Sequence, residues 1–119
     1  MKKFCIDLLL FMAAYFLLLP LTFINYAIVL FKSKDGGSGY FKSTAINIDK
    51  FGNREFRTLW NFSLRKETGY KFGNPEETIS SALGKNERDN TLTKTGKILA
   101  GILNFLDKNH CLKSINDNL

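Results

Sequence analysis

Residues that form cross-links or bind metals are scarce in this sequence. It contains two cysteines, Cys5 and Cys111, and one histidine, His110. A disulfide scaffold needs several cysteine pairs, which excludes that class. A structural zinc site needs about four ligands, so it would require Asp107 or a second chain to contribute. The glycine-rich patterns that cradle nucleotide phosphates are also missing, and we expect no cofactor, no metal and no catalytic activity.

Charge is missing from one long stretch, Leu8 to Phe31, which reads LLLFMAAYFLLLPLTFINYAIVLF. A helix of this length extends roughly 36 Å at about 1.5 Å per residue. The hydrocarbon core of a bilayer is about 30 Å thick. We therefore predict a membrane anchor helix over residues 1–31, bent at Pro20. Thr22 is expected to bond its own backbone.

Other interpretations of this stretch are weaker. A cleaved signal peptide has a shorter apolar core followed by small residues, which Asn25-Tyr26-Ala27 does not match. As a buried soluble helix, it would need more chain to cover it than residues 32–119 provide. Docking of the helix on a protein partner instead of lipid remains an alternative. Lysines flank both ends of the apolar stretch, so they do not set its orientation. The positive charge of the following domain favours a cytoplasmic location for that domain.

The rest of the chain predicts a linker and a small basic helical domain. Residues 32–39 are rich in glycine and serine and indicate a flexible linker. Within the domain, 40–119, residues 40–48 allow a short strand or an extended arm. A first helix is expected after the N-cap Asp49, ending at Gly69. Its apolar face has helical spacing: Phe56, Leu59, Trp60, Leu64.

Two further helices have local start signals. Asn74 resembles an N-cap, with Pro75 at the first position and Glu77 completing a capping box. This helix is expected to end at Gly84, with residues 85–90 as a charged loop. A third helix is expected to begin near Thr93 and to end at Asp107-Lys108-Asn109, with a wide apolar stripe of Ile98, Leu99, Ile102, Leu103, Phe105 and Leu106. The predicted fold is all-α: one transmembrane helix, a linker and about three short helices.

Basic and aromatic residues alternate from Tyr40 to Phe72, within a chain of formal net charge +6. Such a pattern can contact phosphates and stack on bases. Helical spacing also places Phe56 and Trp60 in a core, so packing explains much of it. The candidate contacts to nucleic acid or lipid headgroups are Lys42, Arg54, Arg57, Arg65, Lys66 and Lys71.

His110 and Cys111 are the residues closest to a catalytic pair. A cysteine nucleophile needs a histidine base within hydrogen-bond reach, which adjacent residues rarely provide. We therefore expect a half-buried structural thiol at Cys111. The carboxylates of Glu76 and Glu77 beside hydroxyl groups are explained by helix capping. Closure of Lys85 or Arg88 onto Glu77 would make a buried ion pair rather than a catalyst.

Several short motifs resemble a group of small proteins encoded by bacteriophages and prophages. They are Trp60-Asn61, Gly73-Asn-Pro-Glu-Glu-Thr-Ile-Ser-Ser81, Gly84-Lys85, Asp107 and His110-Cys111. Members of the group pair a hydrophobic segment with such a motif and a closing His-Cys. The motif residues carried over are Asn61, Glu77, Thr78, Ser80, Ser81, His110 and Cys111. Many members have arginine after Ser-Ser, where this chain has Ala82.

The resemblance implies a phage context rather than an activity. We predict a single-pass protein of the bacterial inner membrane that acts on the host envelope, for example as a lysis accessory. The alternative is an inhibitor of a host defence nuclease that binds RNA or an RNA–protein complex. A hydrolase using Cys111 and His110 is a third possibility. Expected partners are the lipid bilayer, a host protein or RNA–protein complex, and a second copy through the membrane helix.

Overall fold

The chain is helical in the parts described by the computed structural model, residues 2–32 and 37–119. These ranges contain no strand, and their one isolated bridge pairs Arg65 with Leu92. They divide into two compact units, Met1–Lys42 and Ser43–Leu119. The predicted all-α architecture, with a long apolar N-terminal helix followed by shorter helices, is confirmed.

Helix α1 spans Lys2–Lys32 and contains Pro20. None of its residues is buried, and its most apolar window has a mean hydropathy of 2.3. Among the described residues it is the one helix long and apolar enough to cross a membrane. The Thr22 hydroxyl donates to the Leu18 carbonyl, so this polar side chain is satisfied within the helix, as predicted.

Helix α2 spans Ser38–Glu55, so the predicted strand or extended arm over residues 40–48 is wrong. In the first unit, the Tyr26 ring lies 6.2 Å from the Tyr40 ring and 5.5 Å from the Phe41 ring, measured between centroids. The Asn25 side chain donates to the Tyr40 hydroxyl at 2.9 Å. Packing of Tyr40 and Phe41 against Tyr26 of α1 overrides the strand preference that the composition of residues 40–48 suggests.

The predicted linker overlaps helices at both of its ends. Lys32 closes α1, whereas Ser38 and Gly39 belong to α2. Residues 33–36 of the predicted linker lie outside the described residues. The boundary between the two units falls after Lys42.

The second unit contains four further helices after α2. They are α3 (Arg57–Ser63), α4 (Ile79–Arg88), α5 (Lys94–Leu106) and α6 (His110–Lys113). Helices α4, α5 and α6 pack against one another. The buried apolar core consists of Leu64, Phe72, Ala82, Leu83, Leu92, Ala100 and Cys111.

The first predicted soluble helix has the wrong limits. Asp49 lies inside α2 instead of starting a helix, and the helical chain ends at Ser63, well before Gly69. Beyond α3, the Lys66 amide donates to the Thr91 carbonyl at 2.7 Å, and the Thr93 amide donates to the Leu64 carbonyl at 3.0 Å. The backbone there is hydrogen-bonded to the segment before α5, so its polar groups are satisfied without a helix.

The second predicted helix also starts and ends elsewhere. It begins at Ile79 rather than at Pro75, and it continues through Gly84 to Arg88. A Cβ atom at Gly84 would clash with the Cys111 carbonyl oxygen, so this glycine permits a close crossing of α4 and α6 instead of ending the helix. Most of the predicted charged loop 85–90 is therefore the second half of α4.

Helix α5 was predicted correctly at both ends. Thr93 is its N-cap, with Oγ1 accepting from the Gly96 amide at 3.0 Å, and Asp107 is its C-cap. The predicted apolar stripe divides into two faces. Leu99 and Leu103 pack on the core, whereas Ile98, Ile102, Phe105 and Leu106 are exposed.

Candidate functional site

The motif that follows Gly73 builds the entrance to α4 from two capping groups. The Thr78 hydroxyl accepts from the Ser81 amide at 3.0 Å, and the Asp49 carboxylate accepts from the Ile79 amide at 2.6 Å. A carboxylate at a helix N-terminus is favourable because it faces unpaired N–H groups and the positive end of the dipole. Asn74, the predicted cap, instead accepts from the Glu76 amide at 2.9 Å and forms a turn.

A buried ion pair lies at the centre of the same motif. Glu77 Oε2 is 2.7 Å from Lys85 Nζ, and the two residues are 1% and 3% exposed. Tyr70 and Ser81 each donate a hydroxyl hydrogen bond to the Glu77 carboxylate at 2.7 Å. The Lys85 ammonium also donates to the Tyr70 hydroxyl at 3.2 Å and to the Leu119 carbonyl at 3.0 Å.

Every strong hydrogen-bonding group in this buried cluster is therefore satisfied. The ammonium of Lys85 uses all three of its donors, as a buried cation requires. Of the two partners considered for Glu77 in the sequence, Lys85 is the one that forms the buried ion pair. The alternative partner, Arg88, pairs with Asp89 and Asp117 at the surface.

The cluster shifts the acid–base behaviour of its members. Burial raises the pKa of Tyr70, and the hydrogen bond to the Glu77 carboxylate raises it further because that bond needs the neutral phenol. Burial by itself lowers the pKa of Lys85. The hydrogen bonds and charge interactions with Glu77 and Tyr70 outweigh burial, so the pKa of Lys85 is raised overall.

A second polar chain connects α2, α4 and α6. Ser80 Oγ donates to Asp49 Oδ2 at 3.1 Å. His110 Nε2 lies 3.1 Å from Ser80 Oγ, and His110 Nδ1 lies 3.0 Å from Asp107 Oδ2. The side chains of Lys113 and His110 lower the pKa of Asp107 because both bond to its charged form.

The order Ser80, His110, Asp107 has the connectivity of a hydrolase triad. A nucleophile must be reachable by substrate, however, and Ser80 is 3% exposed. The Ser80 hydroxyl donates to the Asp49 carboxylate, so its proton is directed away from the His110 ring. The arrangement is best suited to fastening α6 to α4.

Cys111 is buried with no exposed surface, below the crossing of α4 and α6. Burial raises the pKa of its thiol to about 11, assisted by the negative charges of Glu87 and Asp49. A reactive cysteine needs the opposite, a lowered pKa and an accessible sulfur. Both ring nitrogens of His110 are bonded to Asp107 and Ser80. The predicted half-buried thiol is thus fully buried, and the pair has no nucleophile–base contact.

Three asparagines fasten the segment between α3 and α4. Asn61 pairs with both backbone groups of Phe72, at 2.7 and 3.0 Å. Asn53 donates to the Glu77 carbonyl at 2.8 Å, and Asn86 binds both backbone groups of Tyr70 at 2.9 Å. Only Asn61 was identified from the sequence. Asn53 falls within a predicted helix, where asparagine has low propensity, and that is the signal that could have marked it. Asn86 falls in the predicted charged loop and carries no such signal.

The predicted basic contact residues fall into two groups. Arg54, Arg57 and Arg65 donate to backbone carbonyls, among them Gly73, and Arg65 also donates to Asn61. Three lysines extend into solvent: Lys42, Lys66 and Lys71. The arginines thus have structural partners within the unit.

A small cavity of about 150 Å³ lies beside α4 and α5. Its lining includes Glu87, Asn90 and Lys97. Glu87 Oε1 accepts from the Asn104 side chain at 3.0 Å. Glu87 Oε2 is buried and has no hydrogen-bond partner among the residues that the structure describes.

Within residues 2–32 and 37–119, no group of three His, Cys, Asp or Glu side chains could hold a metal ion. A scan against protein-family models, a search of curated proteins and a search of solved structures each find no match to this chain.

Proposed function

We propose that this chain is a single-pass membrane protein whose helical unit is a non-catalytic interaction module acting on a bacterial envelope. The observation that carries the proposal is α1, with no buried residue and with no charged residue from Leu8 to Phe31. Exposed apolar surface of this extent on a helix of this length suits lipid hydrocarbon better than water.

The positions of the motif residues support a non-catalytic role. Glu77 is buried in an ion pair, and Ser80 and Ser81 bond to carboxylates of the same unit. Cys111 is buried with a raised pKa. The motif contributes a polar core that fixes α4 and α6, which leaves the surface of the unit as the part available to a partner.

The hydrogen bonds of the arginines favour this proposal over the inhibitor that binds RNA. Arg54 and Arg57 each donate to a backbone carbonyl, and the Trp60 indole donates to the Gly52 carbonyl at 3.0 Å. Base stacking and phosphate contact would have to compete with these bonds. Salt-dependent retention of the chain on RNA, lost on charge reversal of Arg54 and Arg57, would favour the inhibitor instead.

The experiment that tests the proposal is induced expression in a bacterial host, with two readouts. The full chain should stay with the membrane pellet after an alkaline carbonate wash, and induction should increase uptake of a membrane-impermeant dye. A matched variant, Glu77→Gln with Lys85→Met, alters the buried motif but leaves α1 intact, so it should still pellet with membranes. Release of the wild-type chain by carbonate would refute the anchor, and unchanged dye uptake would refute action on the envelope.

A further inference from the structure

Helix α5 has apolar residues on two neighbouring faces, and only one of these faces is covered. Leu99 and Leu103 pack on the core. On the other face, Ile98 and Ile102 are 58% and 54% exposed, whereas Phe105 is 88% exposed. Leu106 adds a further 74% exposed side chain. These four residues, here called the outer face of α5, recur at the spacing of one helical stripe.

Both charged residues of α5 are lysines. Lys94 and Lys97 lie in the first turns of α5 and are exposed, and helical spacing places them at the edge of the outer face. The sequence from Lys94 to Leu106, KTGKILAGILNFL, contains no acidic residue. In the described part of the chain, neither lysine takes part in an ion pair of the kind that Lys85 or Lys113 makes. Apolar residues bordered by unpaired lysines are typical of helices that lie in the headgroup region of an anionic bilayer.

We propose that the outer face of α5 is a second membrane contact, inserted into the interface of a bilayer that contains anionic lipids. The inference rests on the proposed function, because α1 supplies the bilayer. Both units belong to one chain, so anchoring α1 in a bilayer tethers the second unit to that membrane. A tethered contact forms at high effective concentration, so weak interfacial affinity is sufficient.

Lipid fits this face better than a protein groove does. Phe105 and Leu106 project at one end of the stripe and the lysines lie at the other, so the face offers both an apolar wedge and headgroup contacts. Gly101 has open space beside it, with no atom within 4 Å of where a Cβ would be. A fluid, anionic surface can fill such an irregular face and pair with the lysines at the same time.

The test is fluorescence quenching of the full chain in lipid vesicles. A bimane label is attached through Phe105→Cys in a Cys5→Ser background, since Cys111 is buried. Vesicles contain phosphatidylcholine with or without phosphatidylglycerol, and a lipid-borne nitroxide near the headgroups is the quencher. Matched labels are attached through Glu76→Cys, an exposed position in the turn before α4, and through Leu18→Cys within α1.

The label at position 105 should be quenched and blue-shifted relative to the label at position 76, more strongly with phosphatidylglycerol. Lys94→Glu with Lys97→Glu should remove that anionic enhancement. Equal, water-like emission from positions 105 and 76 would overturn the proposal. A blue shift at position 105 that grows with protein density, without quenching by the lipid nitroxide, would also overturn it, because a second copy would then cover the face.

The label at position 18 separates this proposal from the anchor. Quenching at position 18 by a second, deep nitroxide, with none at position 105 by the headgroup nitroxide, would refute the outer-face contact and leave the anchor standing. Quenching at 105 with none at 18 would refute the anchor while supporting the outer-face contact.

Discussion

At the scale of single residues, the buried Glu77–Lys85 pair is the main electrostatic feature of the second unit. Taking two charges out of water is costly, and the cost is offset here by short contacts and by hydroxyl partners from Tyr70 and Ser81. Such a pair adds little net stability compared with an apolar core. It does make the unit sensitive to the loss of either partner.

We expect Lys85→Met to lower the free energy of unfolding by about 3–5 kcal/mol, because it leaves the Glu77 carboxylate buried without its cation. Glu77→Gln with Lys85→Met should lose less than the sum of the two single variants. The measurement is denaturant unfolding of the full chain in detergent, followed by Trp60 fluorescence. Lys113→Met, which removes the exposed pair with Asp107, is the control and should leave the midpoint unchanged. An unchanged midpoint for Lys85→Met would contradict the buried pair.

Alkaline pH should destabilise the second unit. The folded state raises the pKa of Cys111 from 9.0 to about 11, and it also raises the pKa values of Tyr70 and Lys85 above 10.0 and 10.5. The unfolded chain therefore releases these protons at lower pH than the folded chain does. Stability is fully present below about pH 9 and falls as pH rises towards 11 and beyond.

Unfolding midpoints measured between pH 8 and 11 check this expectation. In Cys111→Ala, the decline between about pH 9 and 11 should be shallower than in the wild type, because the thiol no longer contributes. Stability that stays level or rises through this window would contradict burial of these groups in their protonated forms.

At the scale of elements, two glycines in neighbouring helices have opposite roles. Gly84 in α4 lies against the Cys111 carbonyl, whereas Gly101 in α5 faces open space. The same substitution should therefore have opposite effects at the two positions.

We expect Gly84→Ala to destabilise the unit because α4 and α6 must separate to admit the methyl group. Gly101→Ala should stabilise it by about 0.5–1 kcal/mol through helix propensity alone. Thermal unfolding followed by circular dichroism measures both. A tolerated alanine at position 84 would contradict the close crossing of α4 and α6.

Which elements could be predicted from the sequence depended on whether their signals were local. Thr93 caps the helix that it precedes, so α5 was located correctly. The cap of α4 comes partly from Asp49, thirty residues earlier, while the local signal at Asn74 forms a turn. The burial of Lys85 also depends on partners distant in sequence, chiefly Leu119 and Tyr70. No periodicity of nearby residues contains that information.

At the candidate site, the motif residues could be named from the sequence, whereas their contacts could not. Glu77, Thr78, Ser80, Ser81, His110 and Cys111 were singled out as a set in the sequence, and the structure places them around α4 and α6. Their contacts could not be predicted, because Ser80 and His110 are thirty residues apart in the sequence and meet only in the folded unit. The exposure of the outer face of α5 could not be predicted either, because its residues belong to the same apolar stripe as Leu99 and Leu103, which pack on the core.

At the scale of the whole molecule, apolar surface is unevenly distributed. Helix α1 has no buried residue, the second unit has a small core of mixed apolar and polar side chains, and α5 leaves a further apolar face uncovered. The net charge of +6 accompanies these exposed surfaces. Our proposal that α1 anchors the chain in a bilayer with anionic headgroups accounts for both properties.

Flotation of the purified full chain with phosphatidylcholine–phosphatidylglycerol vesicles, after an alkaline carbonate wash, tests that claim most directly. The wild-type chain should float with the vesicles. Leu18→Asp with Leu19→Asp should not, because each central carboxylate costs about 2.5–3.5 kcal/mol in a membrane helix. Leu18→Ala with Leu19→Ala keeps the stretch apolar and should float like the wild type. A wild-type chain that stays at the bottom of the gradient, or an aspartate variant that floats equally well, would contradict the anchor.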